Sequence, residues 1–79
     1  MVVYVATFFS HFSAVKFAKK LEKMSIESKL MAVPRKLSSS CGTCVQFVTD
    51  IDVKSLVEDG VDKIFSVEQH NHALVVDNN

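Results

Sequence analysis

Glycine and proline are scarce, with two glycines and one proline among 79 residues. Gly42 and Gly60 stand alone, so the chain has no Gly-rich loop of the kind that lets backbone N–H groups cradle a phosphate. Net charge is missing as well. Nine Lys and Arg balance nine Asp and Glu to a formal charge of zero, and without a basic excess there is no electrostatic footprint for binding nucleic acid through many phosphates. Long apolar runs are absent too. The segment from Met1 to Phe9 is largely hydrophobic, but it lacks a basic flank and breaks at Ser10 and His11, so neither a signal peptide nor a membrane span is expected. No carboxylate cluster has the spacing of a metal or glycosidase site, and a Cys-His hydrolase would need a base that nothing local supplies. With no signal peptide and two cysteines, the chain reads as cytoplasmic, where thiols stay reduced.

What is present is apolar surface in excess of what one small domain buries. Hydrophobic residues make up 48% of a chain long enough for a single domain, residues 1–79, with 68–79 read as a C-terminal tail whose apolar Ala73-Leu74-Val75-Val76 has three options, to add an edge strand, dock on the open sheet face or swap to a neighbour. Val2 to Phe8 is rich in β-branched and aromatic residues and predicts a strand. Ser10 then offers a helix N-cap, and Ala14, Val15, Phe17, Ala18, Leu21 and Met24 repeat at helical spacing opposite a lysine-rich side. A second strand spans Ile26 to Val33, where Pro34 stops it. Thr43 to Val48 alternates as a third strand. Asp50 or Asp52 is placed to cap a second helix with Val53, Leu56 and Val57 buried, ended by Gly60 in a left-handed conformation. Val61 to Val67 supplies the fourth strand. The order β-α-β-β-α-β predicts an α+β, ferredoxin-like split βαβ fold, a four-stranded antiparallel sheet with both helices on one face. The open sheet face is then the natural place for a homodimer contact.

Chemistry concentrates between Pro34 and Cys44. A thiol attacks only as its thiolate, and an ordinary cysteine is a few per cent ionised at neutral pH. Around Cys41 the sequence supplies positive charge at Arg35 and Lys36, hydroxyl donors at Ser38, Ser39 and Ser40, and at Gly42 a residue that lets the backbone bend N–H groups toward the sulfur. The loop is a candidate thiolate or small-anion site. Each element also has a plainer reading, as solvated loop charge, ordinary loop serines and a small loop thiol. Cys44 is either a resolving cysteine for Cys41 or a buried strand residue, and the second reading is preferred. Cys-Gly-Thr-Cys has the spacing of a thioredoxin-like site, but those open a helix, whereas Cys44 enters a strand. His70 and His72 flank Asn71 in a polar turn far in sequence from the cysteines, so no zinc site is expected, nor any other metal or cofactor. His11 is read as a first-turn helix residue without a role.

The strand, the helix after Thr7-Phe8-Phe9-Ser10 and the run Pro34-Arg35-Lys36-Leu37-Ser38-Ser39-Ser40-Cys41-Gly42 resemble the small selenium/sulfur carrier proteins, over about Val3 to Val67. The resemblance implies a ferredoxin-like domain in which Cys41 holds sulfur or selenium as a persulfide or selenosulfide, taken from a donor protein and passed to an acceptor. Cys44 departs from the family pattern, where a small apolar residue is usual. The competing expectation is a noncatalytic dimeric interaction module, or a regulatory module that binds a small anion, with incidental cysteines.

Overall fold

The computed structural model describes residues 1–37 and 41–79. Among them, strands β1 (Val2–Phe8), β2 (Ser28–Ala32), β3 (Thr43–Thr49), β4 (Val61–Glu68) and β5 (Asn71–Asp77) form one sheet in the order β2-β3-β1-β4-β5. Every neighbouring pair is antiparallel. A single α-helix, α1 (His11–Lys23), crosses from β1 to β2 over one face.

Helix α1 starts and stops where its end residues satisfy the backbone. Ser10 is extended and its Oγ accepts the Ser13 N–H at 3.1 Å, the N-cap bond that meets one orphan donor. At the other end Ser25 takes a left-handed conformation, with φ 60°. There the Ile26 N–H donates to Leu21 O at 2.9 Å and the Ser25 N–H to Glu22 O at 3.0 Å, a Schellman closure with serine in glycine's usual place. Between these ends Ala14, Phe17 and Leu21 are buried against Ala6 and Phe8 of β1, Val45 and Phe47 of β3 and Ile64 of β4. A row of rings runs through this core, with centroids 5.2 Å apart for Phe8 and Phe17, 5.7 Å for Phe17 and Phe47, and 5.5 Å for Tyr4 and Phe47. Such contacts add to the area term that burial of these side chains supplies.

The expected four-stranded ferredoxin-like sheet with two helices is overturned. Five strands and one helix are present among the described residues. The intended second helix is a four-residue 3-10 turn, Val53–Leu56, capped by Asp52 Oδ1 accepting the Lys54 N–H at 3.0 Å. Val57 is already extended, at φ −64° and ψ 134°. In a 3-10 turn side chains three apart eclipse, so Val53 and Leu56 both reach the core and one turn suffices. Gly60 does not end a helix in the left-handed region; a Cβ there would collide with the Ser13 side chain of α1, so the glycine permits close approach.

The fifth strand lies in the segment read as a tail. Gln69 and His70, with φ 49° and 71°, make a two-residue turn with both positions left-handed, and β5 returns along β4 from Glu68↔Asn71. The sheet face away from α1 carries Val3, Val48, Phe65, Val67 and Leu74, and Leu74 is 54% exposed. Near its centre Val5, Thr7 and Cys44 are buried between the longer Gln46, Phe65 and Lys63 of neighbouring strands.

Candidate functional site

The β2–β3 connection and the start of α1 meet at one corner of the sheet. β2 ends at Ala32, which pairs with Thr43, and the Val33 N–H donates to Gly42 O at 3.2 Å, closing the base of the loop. Beyond it the Leu37 N–H donates to Pro34 O at 2.9 Å, so Pro34 sets a turn whose two central residues are Arg35 and Lys36. Both are exposed at the outer corner. Gly42 has φ +72°, with open space where a Cβ would stand, so its backbone conformation is what requires glycine. Ser38, Ser39 and Ser40, singled out as hydroxyl donors, lie outside the described residues.

Cys41 sits at the foot of this loop, partly exposed, and packs against the buried cluster on the helix side of the sheet. Its S–H donates to the Thr43 carbonyl at 3.4 Å. The thiol donor is thus aimed at a carbonyl oxygen, and nucleophilic use requires that its proton leave. Cys44 has a different environment. It is 0% exposed on the opposite sheet face, between Thr7 and Met31 of the adjacent strands, and its S–H donates to Ala32 O at 3.6 Å. Burial pushes the Cys44 thiol up, and a negative charge on nearby Cys41 pushes it the same way. The two thiols are thus close enough to feel each other's charge while packing against different faces.

The structure also gathers a residue that the sequence reading left without a role. His11, the first residue of α1, has its Nδ1 3.2 Å from Thr43 Oγ1. Thr43 therefore contacts the imidazole through its side chain and the Cys41 thiol through its carbonyl. The local sequence carries no sign of this, because 32 positions separate His11 from Thr43. The usable signal is the register. Thr7 pairs with Cys44, so the end of β1 and the start of α1 are delivered to the start of β3. The other two histidines go elsewhere. His72, on β5, pairs with Val67 of β4 and lies three strand spacings from β3, or about 14 Å, so the cysteines and the His70–His72 pair do not converge.

The family model described as "Putative Se/S carrier protein-like" matches residues 3–60. That span runs from β1 to the residue before β4 and includes His11, Cys41, Thr43 and Cys44. No curated protein and no solved structure matches the chain. Among the described residues no helix is long and apolar enough to cross a membrane.

Proposed function

Because the chain belongs to the Se/S carrier protein-like family, we propose that it carries a sulfur or selenium atom on Cys41, as a persulfide or selenosulfide, between a donor and an acceptor protein. The observation that carries this reading is the family match over a span containing Cys41, a partly exposed thiol at the foot of a solvent-facing loop. In loading, the Cys41 sulfur attacks the outer sulfur of a donor persulfide, R–S–S–H. The Cys41–S bond forms, the donor S–S bond breaks, and its electron pair leaves on the inner sulfur as R–S⁻, which takes up the proton that Cys41 gave up. Delivery repeats the exchange with an acceptor thiol. Each step is redox-neutral, which suits work in the reducing cytoplasm.

Arg35 and Gly42 support the reading in different ways, one as exposed positive charge on the loop and the other by fixing the bend that sets Cys41 beside Thr43. Ser38, Ser39 and Ser40 belong to the proposal on sequence grounds alone. Cys44, buried on the other face, is assigned to packing rather than to resolving Cys41.

The test is to incubate the full chain with glutathione persulfide and locate added sulfur by mass spectrometry. One extra sulfur atom on Cys41, lost in Cys41→Ser and kept in Cys44→Ala, is the expected result. An unmodified Cys41 would turn attention to the noncatalytic alternative, which draws on the apolar face carrying Phe65, Val67 and Leu74 and places a second copy of the chain there. Sedimentation analysis reads that association directly, and it is compatible with either role for the thiol.

A further inference from the structure

We propose that His11 moves the proton at Cys41, with Thr43 as the positioning residue that holds the imidazole and the thiol at one corner. The proposal deepens the carrier reading and rests on it for its biological meaning.

Three observations lead to it. The Cys41 S–H donates to the Thr43 carbonyl, and a thiol attacks only as its thiolate, so attack needs a group to take this proton. Arg35 and Lys36, the cations on the same loop, provide charge but offer no lone pair to accept that proton. His11 is held 3.2 Å from the hydroxyl of the same threonine, fixed at the first turn of α1 by the Ser10 cap. In the tautomer whose Nδ1–H donates to Thr43 Oγ1, Nε2 carries the lone pair that a base requires. The other charged or titratable groups on the elements meeting at this corner are Arg35 and Lys36 on the loop, Cys44 on β3, Tyr4 on β1, Lys29 on β2, and Lys16, Lys19, Lys20, Glu22 and Lys23 farther along α1. Cys44 is buried on the far face and cannot substitute for an exposed imidazole.

The proton balance is complete within the transfer. As the Cys41 sulfur attacks R–S–S–H, its proton passes to His11; as the donor S–S bond breaks, His11 returns that proton to the departing R–S⁻. Cys41–SH and R–S–S–H become Cys41–S–S–H and R–S–H, with His11 regenerated and no oxidant or reductant consumed. The same residue serves delivery in reverse.

The experiment uses the full chain and follows iodoacetamide labelling of Cys41, located by mass spectrometry, between about pH 5 and 8, where imidazoles titrate. His11→Gln keeps a hydrogen-bonding side chain but no titrating ring. It is expected to slow labelling near neutral pH by about tenfold or more and to flatten the pH dependence. Thr43→Val should shift the profile in the same direction, and Thr43→Ser, which restores the hydroxyl, should return it to the wild-type curve. Circular dichroism checks that each variant is folded. A His11→Gln variant with the wild-type rate and profile overturns the proposal. Parallel incubation with glutathione persulfide separates the two ideas. If the wild-type chain gains no sulfur, the carrier reading fails while labelling still decides the role of His11; if it gains sulfur and His11→Gln gains it equally fast at every pH, the carrier reading stands and the proton relay falls.

Discussion

Cys41 and Cys44 lie three residues apart in one short segment, yet they occupy opposite chemical situations. Cys41 is partly exposed at a loop foot, on the helix side, with an imidazole reaching the same threonine that accepts its S–H. Cys44 is sealed in the other face of the sheet, and burial discourages its ionisation. Spacing and turn make the difference. Alternation puts Cys44 on the face opposite Thr43, Val45 and Phe47, whereas Gly42, with a left-handed φ of +72°, precedes the strand and leaves Cys41 in the loop against the helix-side core. Thiol chemistry here is assigned by which side of a strand start the sulfur falls on, and composition alone does not distinguish the two.

The sharpest way to break the comparison is to put a charge where Cys44 is. Cys44→Asp would place a carboxylate at a position with 0% exposure, and an unpaired buried charge costs at least about 3 kcal/mol. A domain of this size has only about 4–12 kcal/mol in total, so most of the native circular dichroism signal should be lost or the urea midpoint sharply lowered. A fully stable Cys44→Asp would mean that the far face admits water and that the contrast between the cysteines is false.

Removing only the sulfur is milder and adds a pH signature. Cys44→Ala should cost about 1 kcal/mol, or roughly 4–8 °C in Tm for a domain of this size, and leave Cys41 labelling unchanged. Because burial raises the folded-state pKa of Cys44, the unfolded chain releases this proton first, from about pH 8.5 upward. Above that point the native state binds more protons than the unfolded state, so the contribution of Cys44 to stability falls as pH rises and is lost once the folded thiol ionises. Urea midpoints compared between neutral and alkaline pH should therefore decline more steeply in the wild-type chain than in Cys44→Ala. Equal slopes would assign the alkaline decline to other groups.

The sequence was legible where structure is local. The strand over Val2–Phe8, the Ser10 cap and the Ala14, Phe17 and Leu21 stripe follow from period and capping chemistry, and the structure contains them. Two elements were less legible, for identifiable reasons. Val53, Leu56 and Val57 span barely one turn, too little to repay helix nucleation, and the structure keeps only the 3-10 turn that eclipses Val53 and Leu56. Strand β5 is only one of three options the sequence offers for the tail, because its hairpin turn places Gln69 and His70, rather than the usual Asn-Gly pair, at two left-handed positions, and the ordinary hairpin signal is not there to read. At the site, Cys41 and the loop around it stood out in the sequence because a Pro, a Gly and two cations cluster within a few residues. His11 did not stand out. Its partnership with Thr43 exists only through the β1–β3 register, which is a long-range property.

The smallest expected effect tests whether the comparison depends on loop charge or on the base. Arg35 is exposed at the outer corner of the turn begun by Pro34, and charges in that position act on a neighbour through water and salt. Arg35→Gln should therefore slow Cys41 labelling by no more than about threefold at low ionic strength, and the difference should shrink toward nothing as salt shortens the screening length to about 8 Å or less. His11→Gln acts through proton transfer, and its effect should persist in salt. If Arg35→Gln instead equals or exceeds His11→Gln and survives high salt, the guanidinium must be working at short range on the sulfur. The reactivity of Cys41 would then be owed to the loop itself, as its sequence first suggested, and the corner shared with α1 would be reduced to a structural contact.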